Sequence, residues 1–139
     1  MAEELMREKP EEAKPTLLEL LLRPELPNVL KDLPTARFEI KRLSALTGSP
    51  VVFTLRGLPY GKVTSIQNGS GVDMNVHILL AGCVEPDWKS PELQKRFGGA
   101  TPAETVKAAL LPGEIEDLAR AVERLSGYRK TTIEEIKNG

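Results

Sequence analysis

One stretch in the middle of the chain is almost free of charge. Between Val63 and Val84 the only formal charge is that of Asp73. Residues 68–71 are rich in glycine and interrupt the stretch, which resumes at Val72 with apolar residues on nearly every side of a predicted helix. Since a helix that is apolar nearly all round is usually buried, the stretch is predicted to form the centre of the folded domain. The rest of the chain must then supply the elements that cover it.

The chain is long enough to form such a core without disulfide bonds or a structural metal ion. Its 139 residues fit one domain, and a chain of this size buries about two-thirds of its unfolded surface. The single cysteine, Cys83, and the single histidine, His77, exclude a disulfide framework and a multi-histidine metal centre. We therefore expect no metal and no cofactor. The sequence has neither a membrane-length apolar run nor a secretory signal, which predicts a cytoplasmic protein without a membrane partner.

Apolar and polar residues alternate in two short runs, 37–43 and 51–56. A period of two is typical of half-buried strands. Residues 44–50 lie between the runs and contain a glycine and a proline, which predicts a hairpin loop. The expected structure is one small antiparallel β-hairpin over about residues 37–56.

Helix start and stop signals dominate the chain from residue 59 onward. The clearest helix begins after Leu111, and its apolar residues repeat at three and four positions through Leu125. A further helical turn or two is predicted from Thr131. The predicted fold class is α+β: a mostly helical single domain over 16–139, with one small hairpin near the N-terminus. About five or six helices are expected, most of them in a helical body over about 59–137.

The N-terminal region differs in character from the rest. Residues 1–15 are acidic and carry little apolar bulk, so they are predicted to be flexible. Thr16 and Glu19 have the spacing of a capping box at the start of a leucine-rich helix. The helix is only about two turns long, and helices that short are marginal in water unless they dock.

No group of residues has the pattern of a catalytic site. His77 and Cys83 are six positions apart, so one helix would not bring them together. Residues 68–71 lack the lysine of a phosphate-binding loop. The acidic residues Glu114 and Glu116 fit the positive end of a helix dipole. We therefore predict that the protein is not an enzyme. A side chain with a strongly perturbed pKa in a pocket would indicate a catalytic site instead.

The predicted hairpin is the one basic region of the chain. Residues 37–62 hold five basic residues and one acidic residue, a net charge of +4, whereas the whole chain has a net charge of −1. An alternative function is therefore a small nucleic-acid-binding regulator that uses the hairpin. Strand alternation places Phe38 and Phe53 opposite most of the charges, which argues against base stacking and makes a nucleic-acid partner the weaker prediction. A third possible function is binding of a peptide that adds a strand to the edge of the hairpin.

Three motifs occur in order in the second half of the chain. They are a Gly-Cys-Val-Glu-Pro turn at 82–86, a Leu-Leu-Pro-Gly-Glu-Ile helix start at 110–115 and a Leu-Ser-Gly-Tyr helix end at 125–128. This succession resembles the XkdN-like tail assembly chaperones of phages and prophages that infect Gram-positive bacteria. The likeness is specific over about residues 72–139. Residues 57–71 depart from it, because Leu58 to Lys62 stand where the family has a charged helix.

The resemblance implies a non-enzymatic role in building phage tails. Such proteins are thought to bind the tape measure protein and to recruit tail tube subunits, and they are absent from the finished virion. A second copy of the chain is a further candidate partner. The first candidate for the binding surface is the leucine-rich helix, and the second is the face of the helix over 115–125, for which a place in the core is the favoured expectation. Trp88 is a candidate because tryptophan is common in binding hot spots, although a tryptophan in a loop more often clamps that loop on the core. The predicted partner-binding residues are Leu17, Leu18, Leu20, Leu21, Leu22 and Trp88.

Overall fold

The computed structural model describes residues 14–69 and 71–137. The chain divides into two compact units, residues 1–32 and residues 33–139, called unit 1 and unit 2. Most of the predicted flexible segment, residues 1–13, lies outside the described residues. Lys14 and Pro15, which end that segment, are exposed.

The described part of unit 1, residues 14–32, contains one short helix, α1 (Leu17–Leu21). The predicted capping box is confirmed: the Thr16 hydroxyl accepts a hydrogen bond from the Glu19 amide at 3.1 Å, and the Glu19 carboxylate accepts one from the Thr16 amide at 2.7 Å. Turns follow the helix, and the Asn28 side chain accepts a hydrogen bond from the Leu30 amide at 2.9 Å. No residue of α1 is buried.

Unit 2 contains a three-stranded antiparallel sheet in the order β1 (Thr35–Glu39), β2 (Val52–Arg56) and β3 (Cys83–Glu85). The third strand corrects the predicted two-stranded hairpin, because Cys83 was expected to continue a helix. The residue before a proline is pushed into extended conformations. Pro86 therefore favours a strand at Glu85, and the helix before it ends at Gly82.

The connection between β1 and β2 is a helix, α2 (Lys41–Thr47), so the predicted hairpin loop is wrong. Most residues of α2 are good helix formers. Gly48 ends the helix in the left-handed conformation, with a φ of 76°, and its amide bonds to the Ser44 carbonyl at 2.9 Å. Gly48 is thus a helix cap rather than a hairpin turn residue.

Five further helices follow β2, and the part of the chain that the structure describes holds seven α-helices. The α+β class is confirmed, with one more helix than the upper end of the predicted range. Residues 131–137 have no regular structure, so the predicted last helical turns are absent. The five helices are α3 (Tyr60–Gly69), α4 (Met74–Gly82), α5 (Pro91–Phe97), α6 (Pro102–Ala109) and α7 (Pro112–Leu125), with a short 3-10 turn over Gly71–Asp73.

Helices α4 and α7 pack closely in the core of unit 2. A Cβ atom at Gly82 would lie 2.6 Å from both methyl groups of Val122, so only glycine fits at this crossing without rearrangement. The buried residues of α4 include Ile78 and Leu79, which confirms that the nearly uncharged stretch enters the core. Two valines of the stretch are exposed: Val72 in the 3-10 turn before α4, and Val84 in β3.

An ion pair joins α2 to the start of α7. The Arg42 guanidinium donates from Nε and Nη2 to the two carboxylate oxygens of Glu114, each at 2.9 Å, and from Nη2 to the Ala109 carbonyl at 3.1 Å. Glu114 also accepts a hydrogen bond from the Leu111 amide at 2.7 Å. One carboxylate therefore caps α7 and anchors the helix that connects β1 to β2.

Candidate partner-binding surface

The predicted leucines, four in α1 and Leu22 at its C-cap, are all exposed. Their exposed fractions range from 39% for Leu20 to 71% for Leu17 and Leu22. Scattered apolar residues on a surface are normal, but a contiguous group marks an interaction site. The structure therefore places these five leucines together on an accessible part of unit 1.

The exposed apolar run extends beyond the predicted residues. Leu26 is 49% exposed, Val29 is 55% exposed and Leu30 is 70% exposed. The sequence does not predict them as binding residues, because Pro24, Pro27 and Pro34 are typical of an extended linker. The signal that could have found them is the apolar content between those prolines. We call residues 17–30 the leucine segment; its exposed apolar residues are Leu17, Leu18, Leu20, Leu21, Leu22, Leu26, Val29 and Leu30.

The geometry of α1 gives the leucine segment two adjacent apolar stripes. Residues four positions apart lie above one another on a helix, so Leu17 stands above Leu21, and Leu18 above Leu22. Glu19 is the only polar residue of α1. Hydrogen bonds from Thr16 lower the pKa of Glu19, so its carboxylate stays ionised and caps the helix at neutral pH.

Trp88 lies in the core of unit 2 rather than on a surface. Its side chain is 5% exposed and meets the Phe53 ring edge-on, with 5.9 Å between the ring centroids. This corrects the place that the sequence analysis gave it in a binding surface. The charged neighbours of Trp88 belong to a loop that the indole holds against the sheet, which is the more frequent use of a tryptophan in a loop.

The second predicted surface, on α7, is also part of the core. Ile115, Leu118 and Val122 are buried. These are the apolar positions that repeat along α7, and they face the other elements of unit 2. A partner has no access to this face while unit 2 is folded.

The basic strand region does not form a stacking platform. Phe53 is buried, and its cross-strand partner Phe38 is half-buried. Arg42 is already bound to Glu114, an interaction that raises the pKa of Arg42 and lowers that of Glu114. The net charge of +4 therefore overstates the positive charge that this region offers to a nucleic acid.

Cys83 and His77 do not form a catalytic pair. Burial raises the pKa of the Cys83 thiol to about 11, so the thiol is protonated at neutral pH. It donates a hydrogen bond to the Pro86 carbonyl at 3.4 Å. Across residues 14–69 and 71–137, histidine, cysteine and acidic side chains never gather in a group of three that could hold a metal ion. None of the described helices is both long and apolar enough to span a membrane.

A match to a protein-family model establishes the family that the motifs indicate. The model for the phage XkdN-like tail assembly chaperone protein matches residues 18–138. The chain belongs to this family. Both units therefore contribute to the match, and the leucine segment is included from its second residue. The predicted resemblance is confirmed, and the protein is a phage tail assembly chaperone that acts on phage tail proteins.

Comparison of structures points to the same fold. A crystal structure of the protein yqbn superposes with a TM-score of 0.54 at 18% sequence identity, covering 76% of this chain and 99% of that one. At this identity the likeness extends to the fold alone. A search of curated proteins found no matching sequence.

Proposed function

We propose that this tail assembly chaperone binds the tape measure protein through the leucine segment and helps to recruit tail tube subunits. The observation that supports the proposal is the contiguous exposure of eight large apolar side chains in a member of this family. Tape measure proteins are long and helical, and their apolar stripes would aggregate if left uncovered. A short helix with leucines at i and i+4 can pair with such a stripe.

The free energies of burial and of association favour contact by the whole leucine segment over contact by α1 alone. Full burial of one leucine contributes about 1.5–3 kcal/mol. Association costs an estimated 4–15 kcal/mol in lost freedom of motion. The summed burial of the leucines of α1 is comparable to that cost and leaves little surplus for affinity, so we expect Leu26, Val29 and Leu30 to contact the partner as well.

A binding surface that rests on one short segment suits a transient complex. Interfaces at the low end of the size range are typical of short-lived encounters. The proposed chaperone leaves the tail once tube subunits have polymerised on the tape measure protein. It acts in the host cytoplasm without catalysis and is not part of the mature virion.

The test is co-expression with the tape measure and tail tube proteins of the same genome, followed by size-exclusion chromatography. The test variant carries Leu18→Asp and Leu21→Asp. The matched control carries Leu46→Asp and Tyr60→Asp, which add the same two charges at side chains of unit 2 that are 72% and 82% exposed. We expect the wild type and the control to co-elute with the tape measure protein and the double variant to lose it.

Two other outcomes would contradict the proposal at different points. Co-elution that survives the double substitution would keep the chaperone function but move the binding surface away from the leucine segment. Wild-type protein that elutes alone, while the tape measure protein stays insoluble, would contradict the tape measure protein as the partner.

A further inference from the structure

An apolar cavity opens between α3, α4 and α7 in unit 2. Its volume is about 160 Å³. An apolar cavity of about 150 Å³ stays dry and accepts a molecule the size of benzene. The cavity is therefore large enough for one branched aliphatic side chain. Its apolar lining consists of Leu58, Val63, Ile66, Met74, Ile78 and Val122.

The chain turns sharply at the rim of this cavity. Gly127 has a φ of 96° and Arg129 a φ of 60°, both in the left-handed region. That conformation is uncommon for a residue other than glycine. Arg129 Nε donates to Glu123 Oε1 at 2.6 Å, which holds the turn, and Tyr128 and Arg129 both line the cavity. The C-terminal tail thus starts at the mouth of the cavity.

The tail, residues 131–137, exposes two large apolar side chains. Ile133 is 84% exposed and Ile136 is 79% exposed. An extended chain spans at most about 3.3–3.6 Å per residue, so the four residues from Arg129 to Ile133 give a reach of about 13–14 Å. Ile133 can therefore fold back to the rim. Ile136 would close a longer loop, at a higher entropic cost.

We propose that this cavity is a docking site for the chain's own tail, and that Ile133 enters it. The tail then exchanges between the open arrangement and one in which it covers the cavity. A short flexible connection gives the tail an effective concentration on the order of millimolar, so a weak fit is enough to populate the closed state. This site involves unit 2 alone and is independent of the leucine segment.

Met74 provides a direct probe of the cavity. It is the only methionine of the chain beyond residue 6, and it lies in the cavity lining. The experiment labels the methionine methyl groups of the full chain with carbon-13 and records their NMR spectrum. The two variants are Ile133→Ser and, as the matched control, Ile136→Ser. A soluble paramagnetic agent reports how far solvent reaches the Met74 methyl group.

We expect Ile133→Ser to shift the Met74 resonance and to increase its broadening by the paramagnetic agent, while Ile136→Ser leaves both unchanged. Identical Met74 spectra in the wild type and both variants would overturn the proposal. Equal changes in the two variants would overturn the assignment to Ile133. A wild-type spectrum that approaches that of Ile133→Ser on dilution would overturn docking within one chain and indicate the tail of a second copy.

Discussion

Helices α1 and α7 are both capped and both rich in apolar residues, yet α7 packs into the core and α1 stays exposed. Helix α7 has fourteen residues and buries five of them, whereas α1 has five residues and buries none. The charged residues of α7 lie on one side, so the helix has a solvent face and a core face. In α1 leucines occur on every side, and Glu19 is the only polar residue. The difference teaches that apolar content alone does not place a helix in a core; the helix must also be long enough to pack against neighbouring elements.

The largest expected effect comes from matched leucine truncations in the two helices. Leu118 is 4% exposed and Leu18 is 65% exposed. We expect Leu118→Ala to lower the free energy of unfolding by about 2–5 kcal/mol, because it leaves a cavity in the core. Leu18→Ala should change it by less than about 0.5 kcal/mol. Urea denaturation followed by Trp88 fluorescence measures both. Equal losses would mean that the leucine segment is part of the folded core.

The next effect tests how tightly α7 is packed. A Cβ atom at Gly57 would lie 2.5 Å from the Leu125 carbonyl oxygen, a backbone atom that cannot move aside cheaply. We expect Gly57→Ala to destabilise the protein by about 1–3 kcal/mol. The control is Gly61→Ala, whose Cβ meets nothing within 4 Å and should be neutral or slightly stabilising. Thermal melting compares the two, and a neutral Gly57→Ala would show that the end of α7 is loosely held.

A smaller, pH-dependent effect is expected at the start of α7. Glu114→Gln removes the charge from the pair with Arg42 and weakens the cap on Leu111. We expect a loss of about 1–2 kcal/mol at pH 7, a range that allows for solvent screening at the partly exposed Arg42. The exposed Glu116, 3.4 Å from Arg120, provides the control Glu116→Gln, which should cost less than about 0.5 kcal/mol.

The sign of the pH dependence follows from the lowered pKa of Glu114. Its folded pKa lies below the usual value of 4.5, so the stabilisation is complete above that value. It is lost as the pH falls through the folded pKa. The difference between wild type and Glu114→Gln should therefore shrink in acid. A difference that stays constant down to pH 2 would contradict an ionic contribution.

The smallest effect concerns the cap of α1. Thr16→Ala removes the hydroxyl that accepts from the Glu19 amide, at a cost of about 1 kcal/mol to the helix. We expect unit 2 to keep its unfolding free energy and the tape measure protein to bind about fivefold more weakly, because α1 is less preorganised. Titration calorimetry gives the affinity. Thr47→Ala, on α2, is the control and should leave the affinity unchanged.

The sequence predicted the elements whose signals agree with one another. Helix α7 was predicted because its proline, its acidic first turn and its apolar period all indicate one structure. The loop before β2 was mispredicted because a glycine after Thr47 fits a hairpin turn as well as a helix cap. Strand β3 was missed because three residues are too few to show a period. Its only signal was Pro86, which restricts the residue before it.

The candidate surface was predictable only in part. The leucines of α1 were identified from their density and from the short length of the helix. Trp88 was misplaced because tryptophan is common in binding hot spots, and its pairing with Phe53 is a long-range contact that local sequence does not encode. The cavity near Met74 is also a product of long-range packing, since its lining comes from four separate segments of the chain.

The placement of Gly57 and Gly82 against α7 has a consequence for protein synthesis. The ribosome makes the chain from its N-terminus, so the leucine segment is complete long before α7, which begins at Pro112. Until α7 arrives, the parts of β2 and α4 that pack against it have no cover. Nascent chains with uncovered apolar surfaces are prone to aggregate. A product that terminates early, before Pro112, would therefore carry the exposed leucine segment on a body that lacks its longest helix and is prone to aggregate.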